Sequence, residues 1–468
     1  MNPSFLRTWT LILLLSVPAL AAPETDSNSL DRLFQSALAQ YDSGHFADAE
    51  KQLEALLPKA PESFDVHELL GMVYAAESQD LKANAHLSKA VRLKPESVAA
   101  RVNLGANLVH LHRMAPAEVE FKKAVELEPE NYDTNHNLGE YYVAAGDISR
   151  ATPFLQKAQK LKPDAYDNGY DLALLYLEAN RVAQARHLVQ QLLAQRNSAD
   201  LHNLLGQINE KDQKFVAAES EYQTAAHMDP SESNLFDWGS ELLVHRTLDA
   251  AVDVFQNATA RFPASGRLAI GLGMALYSRG NYDDAVKALL HAADLNPSDP
   301  RCYYFLSKAY DSSPNQADDV IQRFRRFAEL QPRDAHAPYY YAMSLWKGRR
   351  AQDTSVNFDQ IEALLKKSIS LDSKFPEAHL QLGNLYSDQK KYKESIPEYR
   401  RALELNTELA DAHYRLGQAY VHTGERDLAQ EQLQVYQRLR TEHLAELDKQ
   451  RAEIRQFVIS EKGDKGPQ

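Results

Sequence analysis

Cysteine is all but missing from this 468-residue chain, where Cys302 stands alone. One thiol cannot close an internal disulfide, so the fold must be held by packing, and an isolated Cys suits a small buried apolar position. Tryptophan occurs only three times, so aromatic surface has to be drawn mainly from the 23 Tyr and 16 Phe. Positive charge is in deficit: 52 Lys and Arg against 65 Asp and Glu leave a net charge of −13. That balance argues against nucleic acid and against anionic membrane surfaces, both of which are bound by neutralising phosphate. After the first twenty residues no apolar run is long enough to span a bilayer, which takes about 20 apolar residues. Motifs for chemistry are missing as well. There is no phosphate-binding glycine loop, no nucleophile elbow and no His pair of the H-E-x-x-H kind. His110, His112 and His136 have no carboxylate or Cys to complete a metal-ligand set. Asn257-Ala258-Thr259 matches a glycosylation acceptor but falls inside a predicted helix. The expectation is a non-catalytic protein without metal or cofactor.

The N-terminus carries an address. Arg7 precedes the short apolar run Thr10–Leu20, and Ala19-Leu20-Ala21 ends it with small residues. This pattern predicts a secretory signal peptide over 1–21, cut after Ala21, and an exported, periplasmic or secreted protein of bacterial type. Removing Arg7 with the leader makes the net charge −14. No membrane insertion is expected once the leader is gone.

What the chain does have is a period. Pro61, Pro95, Pro129 and Pro163 stand 34 residues apart, and Pro230, Pro263, Pro297 and Pro332 continue the series. In "NHNLGEYYVAAGDISRATPFLQKAQKLKP" (135–163), let Leu138-Gly139 be positions 7 and 8. Positions 4, 7, 8 and 11 then form the stripe of an amphipathic helix. Gly recurs at position 15 (Gly44, Gly146, Gly280, Gly424) and ends that helix. A second helix follows with a small residue at position 20 and a large one at 24, as in Ala117 with Phe121, and the Pro at 32 stops it. Each unit reads as a helical hairpin that cannot bury its face alone, so neighbours must stack.

A 34-residue unit with L-G-x2-Y, then A-x3-F, then P resembles the tetratricopeptide repeat. The Leu-Gly step stands at Leu70-Gly71, Leu104-Gly105, Leu138-Gly139, Leu205-Gly206, Leu272-Gly273, Leu382-Gly383 and Leu416-Gly417. The resemblance implies an all-α fold, a right-handed superhelical α-solenoid of about twelve repeats over 30–440. A linker is expected over 22–29, a polar insertion over 349–358, a C-terminal capping helix over 441–460 and a disordered tail over 461–468.

The resemblance also places ligands against positions 2, 5, 6, 9, 12 and 13 of each first helix. In units two to seven this stripe is acidic and polar, with Asp65, Glu68, Asn103, Asp133, Asn137, Glu140, Asp167, Asp171, Asn203 and Asp237 among its members. It reads either as ordinary solvated surface or as an attraction for a partner with a basic segment. Family members that grip a C-terminal carboxylate do so with Lys and Arg, and Glu68, Met72, Asn103, Asp133 and Asn137 offer neither. In units eight to ten the stripe turns aromatic and basic: Arg267, Ile270, Met274, Tyr277, Arg301, Tyr304, Phe305, Lys308, His336, Tyr339, Tyr340, Met343 and Trp346. Tyr341, at position 7, belongs to the core. Aromatics beside Arg on an open face are typical of binding hot spots, so a protein or peptide ligand is expected there. Two readings of function follow. One is an exported interaction scaffold in envelope assembly or secretion. The other is a glycan-binding or carbohydrate-active protein that stacks sugars on these rings. Neither names the partner or the oligomeric state.

Overall fold

The computed structural model describes the backbone over residues 24–313, 315–352 and 357–442, and side chains from residue 29 with the exception of 349–352. The leader (1–21), most of the expected cap and the tail lie outside the described residues. Among the described residues the secondary structure is helical, without strands. The chain divides between Met228 and Asp229 into two compact units.

The first unit stacks six hairpins. They pair α1 (Glu24–Asp42) with α2 (Phe46–Leu56), α3 (Phe64–Ala76) with α4 (Asp80–Leu93), and α5 (Val98–His110) with α6 (Met114–Leu127). Then come α7 (Tyr132–Ala144) with α8 (Ile148–Leu161), α9 (Tyr166–Glu178) with α10 (Val182–Gln195), and α11 (Ala199–Lys211) with α12 (Phe215–Met228). The second unit repeats the plan. It pairs α13 (Glu232–Val244) with α14 (Leu248–Arg261), α15 (Gly266–Arg279) with α16 (Tyr282–Leu295), and α17 (Pro300–Ser312) with α18 (Ala317–Leu330). It ends with α19 (His336–Gln352) and α20 (Phe358–Leu371), α21 (Pro376–Asp388) and α22 (Tyr392–Leu405), and α23 (Ala410–Thr423) followed by a helix over 426–442. Each is an all-α repeat solenoid, as the period predicts.

The repeat works through a few recurring contacts. Ser63, Ser97 and Asn131, each 34 residues on, cap α3, α5 and α7 by accepting hydrogen bonds from the first free backbone N–H groups. The Gly at position 8 lets the hairpin close. A Cβ on Gly139 would fall 2.4 Å from Leu155, and one on Gly383 would fall 2.6 Å from the Tyr399 ring. The second helices stop two residues before Pro95, Pro129 and Pro163, because the residue ahead of a proline is pushed out of the helical region. Two boundaries differ from the sequence reading. The first helix already begins at Glu24, within the stretch expected as linker. The polar stretch 349–358 is not all loop, since α19 runs on to Gln352 and is 17 residues long.

The hairpin turns hold a regularity the sequence hides. Gly44, Gly146, Gly280 and Gly424 have positive φ, and so do Ser78, His112, Asn180, Gln213, Arg246 and Lys390, all at position 15. A left-handed backbone costs a residue with a Cβ about 1 kcal/mol or more, and glycine nothing. His112→Gly and Arg246→Gly are exposed changes, and each is expected to raise stability by about 0.5–1 kcal/mol. Thermal unfolding checks this, and an unchanged or lowered midpoint would refute the strain.

Candidate binding cleft on the first-helix face

Three successive first helices of the second unit, α17, α19 and α21, enclose a cleft of about 360 Å³. Its floor and walls are aromatic. Tyr340 packs on Phe324 of α18 at 5.7 Å between ring centres, and edge-on against Tyr339 at 5.7 Å. Tyr339 and His336 both meet Phe375, at 4.9 and 4.7 Å. Burial pushes the Tyr339 and Tyr340 hydroxyls far above the ordinary phenol range, so both are neutral, with the Glu377 charge among the smaller causes. The rim is polar and open: Lys308, His336 and Glu377 are exposed, and the Tyr304 ring keeps 47% of its surface. Asp311 also lines the cleft and is paired with Lys347.

Four of the ten residues expected at the site share this cleft: Tyr304, Lys308, Tyr339 and Tyr340. Two others that the groove stripe named, His336 and Met343, join them. The remaining residues stand elsewhere. Trp346 is not on the groove. It is 6% exposed and packs with Leu345, Ile361, Leu365, Leu382 and Leu385, because α20 and α21 close over that side of α19. Tyr340 reaches the cleft only as its floor and is itself 8% exposed. Tyr341, expected in the core, is half-buried, and its hydroxyl accepts a hydrogen bond from Gln360. Arg267 lies 4.4 Å over the Phe236 ring and pairs with Glu232, so it serves the preceding hairpin. Arg301 is held by Asp299 at the start of its own helix. Met274 and Tyr277 are half-buried against the core, and Phe305 turns its edge to Tyr304.

The sequence reading missed Phe375, Glu377, Gln381 and Phe324. A signal for two of them existed: Glu377 and Gln381 stand at positions 2 and 6 of the eleventh unit, one repeat beyond the stretch read as aromatic. Phe375 precedes its helix and Phe324 sits on a second helix, so neither belongs to the stripe.

The polar stripe of the first unit is less open than its composition implies. Glu68 and Asp171 are buried, as are Asn103 and Asn137. Burial, with Asp65 adding to it, lifts the Glu68 carboxyl to about 7, against a pull from Lys94. The histidines considered as metal ligands face different partners, His110 towards Asp80 and His136 towards Asn168. Among the described residues no group of three or more His, Cys, Asp or Glu is placed to hold a metal ion, and no helix is long and apolar enough to cross a membrane. Cys302 is buried and its thiol is pushed up to about 12, mainly by that burial.

Stacked hairpins with small residues at the closing positions define a class, the helical-repeat scaffold. The repeats themselves are tetratricopeptide repeats: models of the tetratricopeptide repeat match residues 34–98, 142–208 and 236–300, and a TPR repeat model matches 383–424. No curated protein matches the chain. Solved structures similar to it include one described as the functional characterization of Pseudomonas aeruginosa PilF, at 20% identity and a TM-score of 0.40, covering 44% of this chain and 95% of that one. The Cut9–Hcn1 hetero-tetramer of APC/C is similar at 16% identity and a TM-score of 0.39, covering 88% and 87%. YrrB, described as a tetratricopeptide protein with an unusual peptide-binding site, is similar at 22% identity and a TM-score of 0.33, covering 39% and 96%.

Proposed function

We propose that this chain is an exported, non-catalytic scaffold that binds an extended peptide or protein segment across the first-helix face of its second unit. The observation that carries the reading is the exposed Tyr304 ring above a floor of buried aromatics, rimmed by Lys308 and Glu377. A half-exposed aromatic beside a preformed cleft with an aromatic floor gains most when a partner covers it. Charged groups of both signs at the rim suit a peptide better than a neutral sugar. The exported setting rests on Arg7, the apolar run Thr10–Leu20 and Ala19-Leu20-Ala21. A bacterial envelope assembly or secretion role fits that setting.

Two measurements test the proposal. Random peptides displayed on phage and panned on the purified protein should yield binders that lose at least about tenfold in affinity against Tyr304→Ala, the loss expected when one hot-spot ring is removed. Binders indifferent to Tyr304→Ala, or a preference for neutral oligosaccharides that ignores salt, would move the site away from peptide binding. For export, the mature protein recovered from the envelope fraction should begin at Ala22. Recovery from the cytosol with the leader intact would remove the exported setting.

A further inference from the structure

Among the described residues, two contacts combine a guanidinium, an aromatic ring and a carboxylate of the chain itself. Arg150 lies 4.6 Å over the Tyr142 ring and pairs with Glu118, which also accepts the Tyr142 hydroxyl. Arg267 lies 4.4 Å over the Phe236 ring and pairs with Glu232 at 3.3 Å. In each case a guanidinium lies over an aromatic face and pairs with a carboxylate nearby, Arg150 also with Asp147. The cleft of the second unit supplies two of the three parts: the rings of Tyr304, Tyr339 and Phe375, and the exposed carboxylate of Glu377, whose charge acts on Tyr339. Among the described residues Glu377 has no ion-pair partner. We propose that the third part comes from the partner, and that the cleft receives an arginine side chain of the bound peptide.

Arginine suits the cleft for physical reasons. Its guanidinium is planar and weakly hydrated, stacks on aromatic faces, and presents a fork of N–H donors that matches a carboxylate. Lys308 shows that the Tyr304 face already draws a cation, since its ammonium lies 5.7 Å from that ring. It also repels an incoming one, which gives the proposal a sign that can be tested. The net charge of −13 favours approach of a cationic segment.

The inference rests on the peptide-binding reading, and its test separates the two. The probe is the pentapeptide acetyl-Gly-Gly-Arg-Gly-Gly-amide, with its citrulline and lysine counterparts and tetramethylammonium as controls, titrated by NMR into the purified protein at low salt. The arginine peptide is expected to bind in the millimolar range, with the uncharged citrulline peptide about tenfold weaker. Glu377→Gln should weaken the arginine peptide about fivefold or more, and Lys308→Gln should tighten it. Both side chains are exposed, so neither change threatens the fold. Equal binding of arginine and citrulline peptides, no saturable binding below about 10 mM, tighter binding of tetramethylammonium, or a weakening by Lys308→Gln would each overturn the assignment. If panned peptides depend on Tyr304 but not on any arginine, peptide binding stands and the arginine assignment falls. If none depends on Tyr304, the peptide-binding reading itself fails.

Discussion

Trp346→Ala should destabilise the second unit by about 3–5 kcal/mol, the range for truncating a buried large aromatic, whereas Tyr304→Ala should cost less than about 1 kcal/mol. Both residues read as members of one aromatic groove in the sequence, and the structure separates them. Trp346 is 6% exposed among Leu345, Ile361, Leu365, Leu382 and Leu385, so its removal leaves a cavity where three helices meet. Tyr304 keeps 47% of its surface and loses little packing when cut back. A helical repeat need not unfold as a single two-state body, so urea unfolding should be read together with amide exchange. Exchange should quicken in α19, α20 and α21 for Trp346→Ala and stay unchanged for Tyr304→Ala. A Trp346→Ala protein with a wild-type urea midpoint would show that the indole is not a structural element. It follows that a variant combining Tyr339, Tyr340 and Trp346 changes cannot distinguish lost binding from lost structure, while Tyr304, Lys308 and Glu377 can.

The hairpins were legible because one pattern is repeated along the chain, and each copy constrains the next. The Leu-Gly step and the proline at 32 each answer to a single contact: the Gly at 8 meets the large residue at 24, as Gly139 meets Leu155 and Gly383 meets Tyr399, and the second helix ends before Pro163. The turns were legible only in part. Glycine marks four of the left-handed positions, but Ser78, His112 and Arg246 adopt the same φ with no compositional sign of it. The cleft was half legible. Positions 2, 5, 6 and 9 of the first helix are set by helical geometry, so Tyr304, Lys308, Tyr339 and Tyr340 could be found from spacing. Whether position 12 is open depends on how the following hairpin lies, which spacing within one helix does not carry. That is why Trp346 was misplaced. Phe375 and Phe324 enter the cleft from a helix start and from a second helix, and only the folded chain brings them there.

Glu68→Gln should stabilise the first unit by up to about 3 kcal/mol at about pH 8 and leave it nearly unchanged near pH 4. Position 5 of the second unit reads as an acidic surface in the sequence, yet the Glu68 carboxyl is 3% exposed and its Oε1 has no hydrogen-bond partner among the described residues. Burial first, and Asp65 second, raise it from 4.5 to about 7. Below the unfolded value both states hold the proton and there is no penalty. As pH rises from 4.5 towards 7 the unfolded chain releases the proton while the folded chain keeps it, so stability falls with pH across that window. Above about 7 the folded state must carry a buried carboxylate, and the full penalty persists. The Gln side chain cannot ionise, so the fall should flatten. Urea titrations of wild type and variant at the two pH values give the test, and the difference between them isolates the ionisation from any effect of burying an amide. Equal shifts at both pH values would mean that Glu68 is ionised at little cost, and the stripe would then present a fixed negative charge. If the window appears as argued, Glu68 is about half protonated near neutral pH. Attraction of a basic segment to the first unit would then depend on the more open Asp133 and Glu140, with Glu68 adding its charge only as it ionises above about 7.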